Sequence, residues 1–312
     1  MKVERLKDFD ELEVAASSLE VPGLFQTVSY LRAFGENFSK EVILLSVEED
    51  GQVVGYGAFE EVEDVVYFLG MKPVFKKEEI TDFGDIVARD YKKAWEVILE
   101  WFEKKGFKQL RLDYVREDSE SFKVLKSKGK TSEQEVAPQI KLPKTWEEYL
   151  GNLKREHRKE LKRKIKRLED KESFYECSEE TVKQDFEEFV RLHRLSDGKK
   201  KQFMSEKMKE FFWQVKTAKH DGWWGNLCFL KMEGKPVAGL MCFENKQEGW
   251  AYNSGFDPDY GYYSVGILLM AYKIKRAIEK DKKIFSFLRG DERYKYELGG
   301  EDLRLFKIEM SF

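Results

Sequence analysis

Two side chains in this 312-residue sequence could move a proton or hold a developing negative charge: His193 and Lys295. His193 can act as a general base near neutral pH. It also falls on the apolar stripe of Val182, Phe186, Phe189 and Val190, where a satisfied core histidine is the usual occupant. Lys295 lies in the run Phe287-Leu288-Arg289-Gly290-Asp291-Glu292-Arg293-Tyr294-Lys295-Tyr296. A positioned ammonium stabilises an oxyanion in a water-poor cleft, whereas on an open face the same residue is an ordinary surface lysine. Arg289 and Asp291 flank Gly290 at the C-terminal end of a predicted strand, the end at which open α/β sheets place ligands, and they can equally pair with each other. Tyr252 and Asn253 sit on another strand, where an aromatic ring is more often core. His157 interrupts the stripe Leu153, Leu161, Ile165 and Leu168 and reads as structural.

The elements that must carry these residues occur twice. Val42 to Leu45, a turn at Asp50-Gly51, Gln52 to Phe59 and Val65 to Gly70 form a three-strand meander. Leu227 to Leu230, a turn at Glu233-Gly234, Pro236 to Phe243 and Trp250 to Gly255 repeat it, offset by roughly 180 residues. Each meander precedes an amphipathic helix and a strand. Asp90 caps the first helix, with Tyr91, Ala94, Trp95, Ile98, Leu99 and Phe102 at helical spacing, before a strand at 108–113. Ser264 is the expected cap of the second, whose stripe is Ile267, Leu268, Ala271, Ile274 and Ile278, before a strand at 283–288. Between the copies, Thr145 and Glu148 make a capping box. A basic helix over 153–169 then carries nine Lys and Arg in the fourteen positions 154–167, and a further helix starts near Ser178. The Leu142-Pro143 step places a domain boundary there, giving domains 1–143 and 144–312.

Bulk composition is consistent with two soluble units. The length suits two domains of about 150 residues, and 41% hydrophobic residues supply two cores. With 56 Lys+Arg against 59 Asp+Glu the net charge is -3, which excludes a surface that is polyanion-binding throughout and confines any such contact to the basic helix. That helix is either a solvated face or a grip on tRNA, a nucleotide-linked substrate or an acidic membrane surface. Cys177, Cys228 and Cys242 have no CxxC spacing, so neither a disulfide framework nor a cysteine metal site is expected. A charged start at 1–10 and the lack of a long apolar run predict no signal peptide and no transmembrane segment, with a cytoplasmic location.

These segments together resemble the duplicated branch of the GNAT acyltransferases, which includes the Fem-like aminoacyl transferases and the BioF-like and CelD-like acetyltransferase-domain proteins of envelope and polysaccharide pathways. The resemblance runs through Phe25 to Tyr30, Thr81-Asp82-Phe83, the basic helix, Leu192-His193-Arg194 and the 287–300 segment with its Tyr-Lys motif. It implies an α/β (α+β) fold of two tandem GNAT-like domains, each a mixed, mostly antiparallel sheet flanked by helices. It also implies an N-acyltransferase that moves an acyl group from acetyl-CoA or another acyl-CoA to an amine of a sugar, amino acid or peptide, without metal or covalent intermediate. The site it implies lies in the C-terminal domain: Lys295, His193 and Tyr252 in catalysis; Tyr263, Ser264, Gly266 and Arg289 at the donor; Asn253, Asp291 and Tyr294 at the acceptor. The turn Tyr260 to Gly266 lacks the Arg/Gln-x-x-Gly-x-Gly/Ala spacing of CoA-binding relatives. In the N-terminal copy, Asp82 and Asp85 would repel a phosphate, so that copy is not expected to bind donor. Two alternatives stay open: a Fem-like transferase fed by aminoacyl-tRNA, and a non-catalytic binding module.

Overall fold

The computed structural model describes residues 1–72, 79–168 and 171–312. They form two compact units, Met1–Val136 with Ala218–Asp221 and Leu303–Phe312, and Ala137–Thr217 with Gly222–Asp302. In the first, the chain runs β1 (Lys2–Leu6), α1 (Phe9–Ala16), α2 (Val28–Phe38), β2 (Val42–Glu49), β3 (Gln52–Val62), β4 (Val65–Phe68), β5 (Val87–Ala88), α3 (Tyr91–Lys104), β6 (Gln109–Arg116), α4 (Glu120–Leu125) and β7 (Lys130–Val136). The second contains β8 (Gln139–Lys141), α5 (Trp146–Asn152), α6 (Arg155–Leu168), β9 (Glu172–Glu176), α7 (Val182–Ser196), α8 (Gly198–Phe203), α9 (Glu206–Thr217), β10 (Trp224–Met232), β11 (Lys235–Glu244), β12 (Glu248–Phe256), a 3₁₀ turn at Pro258–Tyr263, α10 (Val265–Glu279), β13 (Ile284–Ser286) and α11 (Arg293–Glu297). The last strand, β14 (Arg304–Ser311), belongs to the first unit.

Both meanders form as expected, and for the same reason. Asp50 and Gly51 have φ 51° and 77°, and Glu233 and Gly234 have φ 50° and 79°. Two successive positive φ values make the turn whose twist matches flanking antiparallel strands. The first sheet is ordered β1-β2-β3-β4-β6-β14-β7, with β5 on β3; the second is β8-β13-β12-β11-β10-β9. In each, the meander's third strand pairs in parallel with the strand beyond the helix, β4 with β6 through α3 and β12 with β13 through α10. Asp90 Oδ1 caps α3 by accepting from Lys93 N at 3.1 Å, while Trp95, Ile98 and Phe102 are buried beneath it. This is the tandem mixed α/β architecture the repeat implies.

The unit boundaries differ from 1–143 and 144–312 at both ends. Ile140 of β8 is buried in the second core and β8 pairs with β13, so the first unit ends at Val136 and Pro143 only closes a short strand. β14 inserts between β6 and β7 of the first sheet, burying Leu305 and Ile308. Other expectations shift locally. Leu153, with φ −65° and ψ 144°, separates α5 from α6, so the basic helix starts at Arg155. Glu169, at its expected end, lies outside the described residues. Thr181 rather than Ser178 precedes α7. Ser178 instead donates its N–H to Thr181 Oγ1 at 3.2 Å.

An ionic cluster ties α10 to its sheet. Lys273 is 1% exposed and donates to Glu176 Oε1 at 2.9 Å and to Glu244, which is itself buried. Arg276 reaches Glu176 Oε2 at 3.0 Å and Lys280 reaches Oε1 at 3.1 Å. Burial alone would raise the Glu176 carboxyl, but these three cations outweigh it and hold it down to about 2. Among the described residues, no helix is long and apolar enough to cross a membrane.

Candidate active site

The second sheet opens where β12 outlasts its partner. β13 pairs with β12 only from Glu248–Ile284 to Trp250–Ser286, and β12 continues alone on that edge to Phe256. On the other side a register shift sets Asn253 opposite Met241 and Ala251 opposite Cys242, leaving Tyr252 as an extra residue. A bulge of this kind bends a strand and re-aims its side chains. Helix α7 lies directly on this stretch. A Cβ on Gly255 would come within 2.3 Å of His193 Cα and 2.4 Å of its N, so glycine is what permits the close backbone approach.

His193 is 1% exposed, between the rings of Phe189 and Phe203. Burial, reinforced by the charge of Lys200, pushes its imidazole down to about 4, against a hydrogen bond donated to the Asn253 side chain that favours the cation. Its Nδ1 has no hydrogen-bond partner among the described residues. A neutral imidazole with an unused lone pair therefore stands behind the bulge, and an orphaned buried nitrogen of this kind calls for a functional explanation.

A cavity of about 430 Å³ opens beside the free edge of β12. Its walls are Ser254 and Phe256 of β12, Gly261 of the 3₁₀ turn, Ser264 and the first turns of α10 to Met270, Lys200 of α8, and Glu292 and Tyr294 around α11. The start of α10 is unusual. Ser264 occupies the cap position but adopts φ 57°, and its side chain makes no cap hydrogen bond, contrary to the expected serine cap. The N–H groups of Val265, Gly266 and Ile267 have no partner among the described residues; the first helical bond runs from Leu268 N to Ser264 O at 3.1 Å. The positive end of a fifteen-residue helix thus faces the cavity with its amides unspent.

Of the residues singled out in the sequence, Ser264, Gly266 and Tyr294 line this cavity. Asn253 contacts His193 behind it, and Tyr252 packs on the rings of Phe212 and Phe243. Tyr263 packs against Tyr262 and the core. Asp291 is exposed and Arg289 half-buried. Lys295 is neither a surface lysine nor open to a ligand. It is 2% exposed, and its ammonium donates to the carbonyls of Leu288 (3.1 Å), Arg289 and Gly290 (3.0 Å) and meets Glu292 Oε2 at 2.8 Å. An ammonium has three N–H donors, so Lys295 is committed to folding the 288–290 loop, whose Leu288 and Gly290 take φ 59° and 104°. Trp223 packs on Trp250 at 4.3 Å, and Trp224 lies under Lys282.

Sequence reasoning missed Lys200, Ser254 and Glu292. Lys200 lies in a run of three lysines, 199–201, that gives no hint which of them turns inward. The basic helix stands near the cavity: Arg167 Nη1 donates to Tyr262 O at 2.8 Å and its guanidinium sits 4.6 Å from that ring. Along its outer face Arg155, Lys159, Lys162 and Lys166 are exposed at i, i+4, i+7 and i+11 with no partner among the described residues. Among those residues no group of three or more His, Cys, Asp or Glu could hold a metal ion.

Residues 155–296 match the family model of the acetyltransferase (GNAT) domain. No curated protein matches the sequence. Similar solved structures include FemX, at 13% identity and TM-score 0.67, covering 98% of this chain and 97% of that one. A conserved protein of unknown function from Bacteroides thetaiotaomicron shares 11% identity, TM-score 0.63 and 99% of each chain. The C-terminal domain of a putative lysylphosphatidylglycerol synthetase from Agrobacterium fabrum shares 10%, TM-score 0.61, with 96% and 92% covered.

Proposed function

We propose, from the premise that this chain is a GNAT-type acyltransferase by its residues 155–296, that it transfers an acyl group from an acyl-CoA to a primary amine at the cavity of the second unit. The observation that carries this reading is the uncapped start of α10, which offers three unpaired amides to a cavity of about 430 Å³. A phosphate is the ligand such a terminus favours. The acyl carbonyl then lies along the unpaired edge of β12 toward Tyr252 and Asn253. His193, neutral beside Asn253, takes the proton that the attacking amine loses. Lys295 serves as a positioning residue for the 288–290 loop, while Arg289 and Tyr263 border the donor and Asp291 and Tyr294 the acceptor. The first unit carries no donor in this reading, because Asp90 already occupies an amide of α3 and adds a negative charge there.

Calorimetric titration with acetyl-CoA and longer acyl-CoAs is expected to give saturable binding; its absence at millimolar ligand removes the CoA donor. In a protein that binds donor, His193→Gln is expected to lower kcat by about 100-fold, the usual worth of a general base, with donor affinity unchanged. Retention of full kcat would release His193 from this role.

The row Arg155, Lys159, Lys162 and Lys166 favours a second reading, in which the acyl group arrives on charged tRNA. Four phosphates neutralised along that row would give filter binding a log–log salt slope of about −3 to −4. Salt-insensitive or absent binding speaks for acyl-CoA.

A further inference from the structure

The turn from Tyr260 to Gly266 contains no Lys or Arg, so a phosphate held at α10 would meet amides there but no charge. We infer that Lys200, reaching in from α8, is the cation that completes the donor's phosphate site. This rests on the reading of the cavity as the donor pocket.

Lys200 is placed for this by its own short helix. Asp197 caps α8 by accepting from the backbone N of Lys200 at 2.8 Å, which turns the side chain inward while Lys199 and Lys201 stay exposed. Its Nζ makes one hydrogen bond, to Ser254 O on the free edge of β12, at 2.7 Å. The remaining two N–H groups have no partner among the described residues, and the side chain forms part of the same cavity wall as Ser264 and Gly266. The two carboxylates whose charge reaches it are otherwise engaged: Asp197 as the cap, and Glu292 in an ion pair with Lys295 at 2.8 Å. Burial pulls the Lys200 ammonium below the usual lysine range, against the attraction of those two carboxylates. A half-buried ammonium without a carboxylate against it is partly desolvated at a cost, which an arriving anion offsets. Arg167, a further cation near the turn, already donates to Tyr262 O and stacks on that ring. A phosphate in the cavity therefore lies between an ammonium and the positive end of a helix, an arrangement that does not need the glycine-rich spacing missing from the turn.

The test compares the full-length protein with Lys200→Met and Lys200→Arg, using CoA and inorganic pyrophosphate as titrants and the thermal midpoint as a check of folding. Lys200→Met is expected to weaken both titrants by about 10- to 100-fold, the range for one hydrogen bond to a charged group, with the KM of the amine acceptor unchanged and Lys200→Arg close to the parent. In the parent, donor affinity should also fall as pH rises through a range where free lysine is still charged, and Lys200→Arg should abolish that fall. An unchanged CoA affinity in Lys200→Met overturns the inference, as does an effect confined to the acceptor's KM, which would assign Lys200 to a substrate carboxylate. If Lys200→Met does not fold, the pH dependence that separates the parent from Lys200→Arg decides instead. If the parent binds pyrophosphate through Lys200 but not CoA, the acyl-CoA donor fails while the anion site stands.

Discussion

Lys273→Met is expected to destabilise the second unit by about 3–5 kcal/mol, the usual result of leaving buried charge without its partner. Lys273 is 1% exposed and bridges Glu176 of β9 to Glu244 of β11, so its loss takes the most buried cation from both carboxylates beneath α10. Arg276 and Lys280 still hold Glu176, whereas the buried Glu244 keeps only the longer contacts of Lys280 and Lys282, each at 3.6 Å, and is the main casualty. Denaturant unfolding measures the effect, and the double variant Lys273→Met/Glu244→Gln should recover most of it, because the uncompensated charge is then gone. A loss below about 1 kcal/mol for the single variant would mean that the remaining lysines rearrange to replace it. Acid should act on the same cluster. Glu176 titrates near 2 in the folded unit and near 4.5 in the unfolded chain, so the stability it contributes is full above 4.5 and lost as pH falls toward 2.

Lys295→Met is expected to cost both stability and turnover. Three loop carbonyls lose their donor at once, and at about 1–3 kcal/mol for each polar group left unsatisfied the 288–290 loop should not keep its two left-handed residues. A fall in the thermal midpoint accompanied by a decrease in kcat/KM of about 100-fold or more identifies a positioning lysine, since a small displacement of a loop at a reacting site has effects of that size. Were the midpoint unchanged and only donor affinity reduced, Lys295 would have to leave its carbonyls to meet a ligand directly.

That contrast marks how far residue types carry. The duplicated meanders were legible because an acidic-Gly pair between alternating apolar strands has few other uses, and α3 and α10 because their stripes are long and regular. The placement of β14 was not legible: Leu305 and Ile308 announce a strand with a buried face, but period-two alternation does not say which sheet receives it. Lys295 stands out in the sequence as a candidate catalytic residue, yet a sequence does not distinguish an ammonium aimed at a ligand from one aimed at its own backbone. Ser264 has the residue type of a cap, and the left-handed conformation that withholds its side chain depends on how the preceding turn packs. Lys200 is one of three adjacent lysines, and only the phase of a six-residue helix selects it.

The position of β14 in the chain also reverses the order in which the halves can be finished. The sheet between β6 and β7 has a gap that is filled only by residues encoded after the second unit. On a ribosome adding roughly 5–20 residues per second, the N-terminal half would therefore wait on the order of ten to thirty seconds with two strand edges unpaired. Newly made chains should be prone to edge-to-edge association during that interval, and the half translated first should be the last to resist protease.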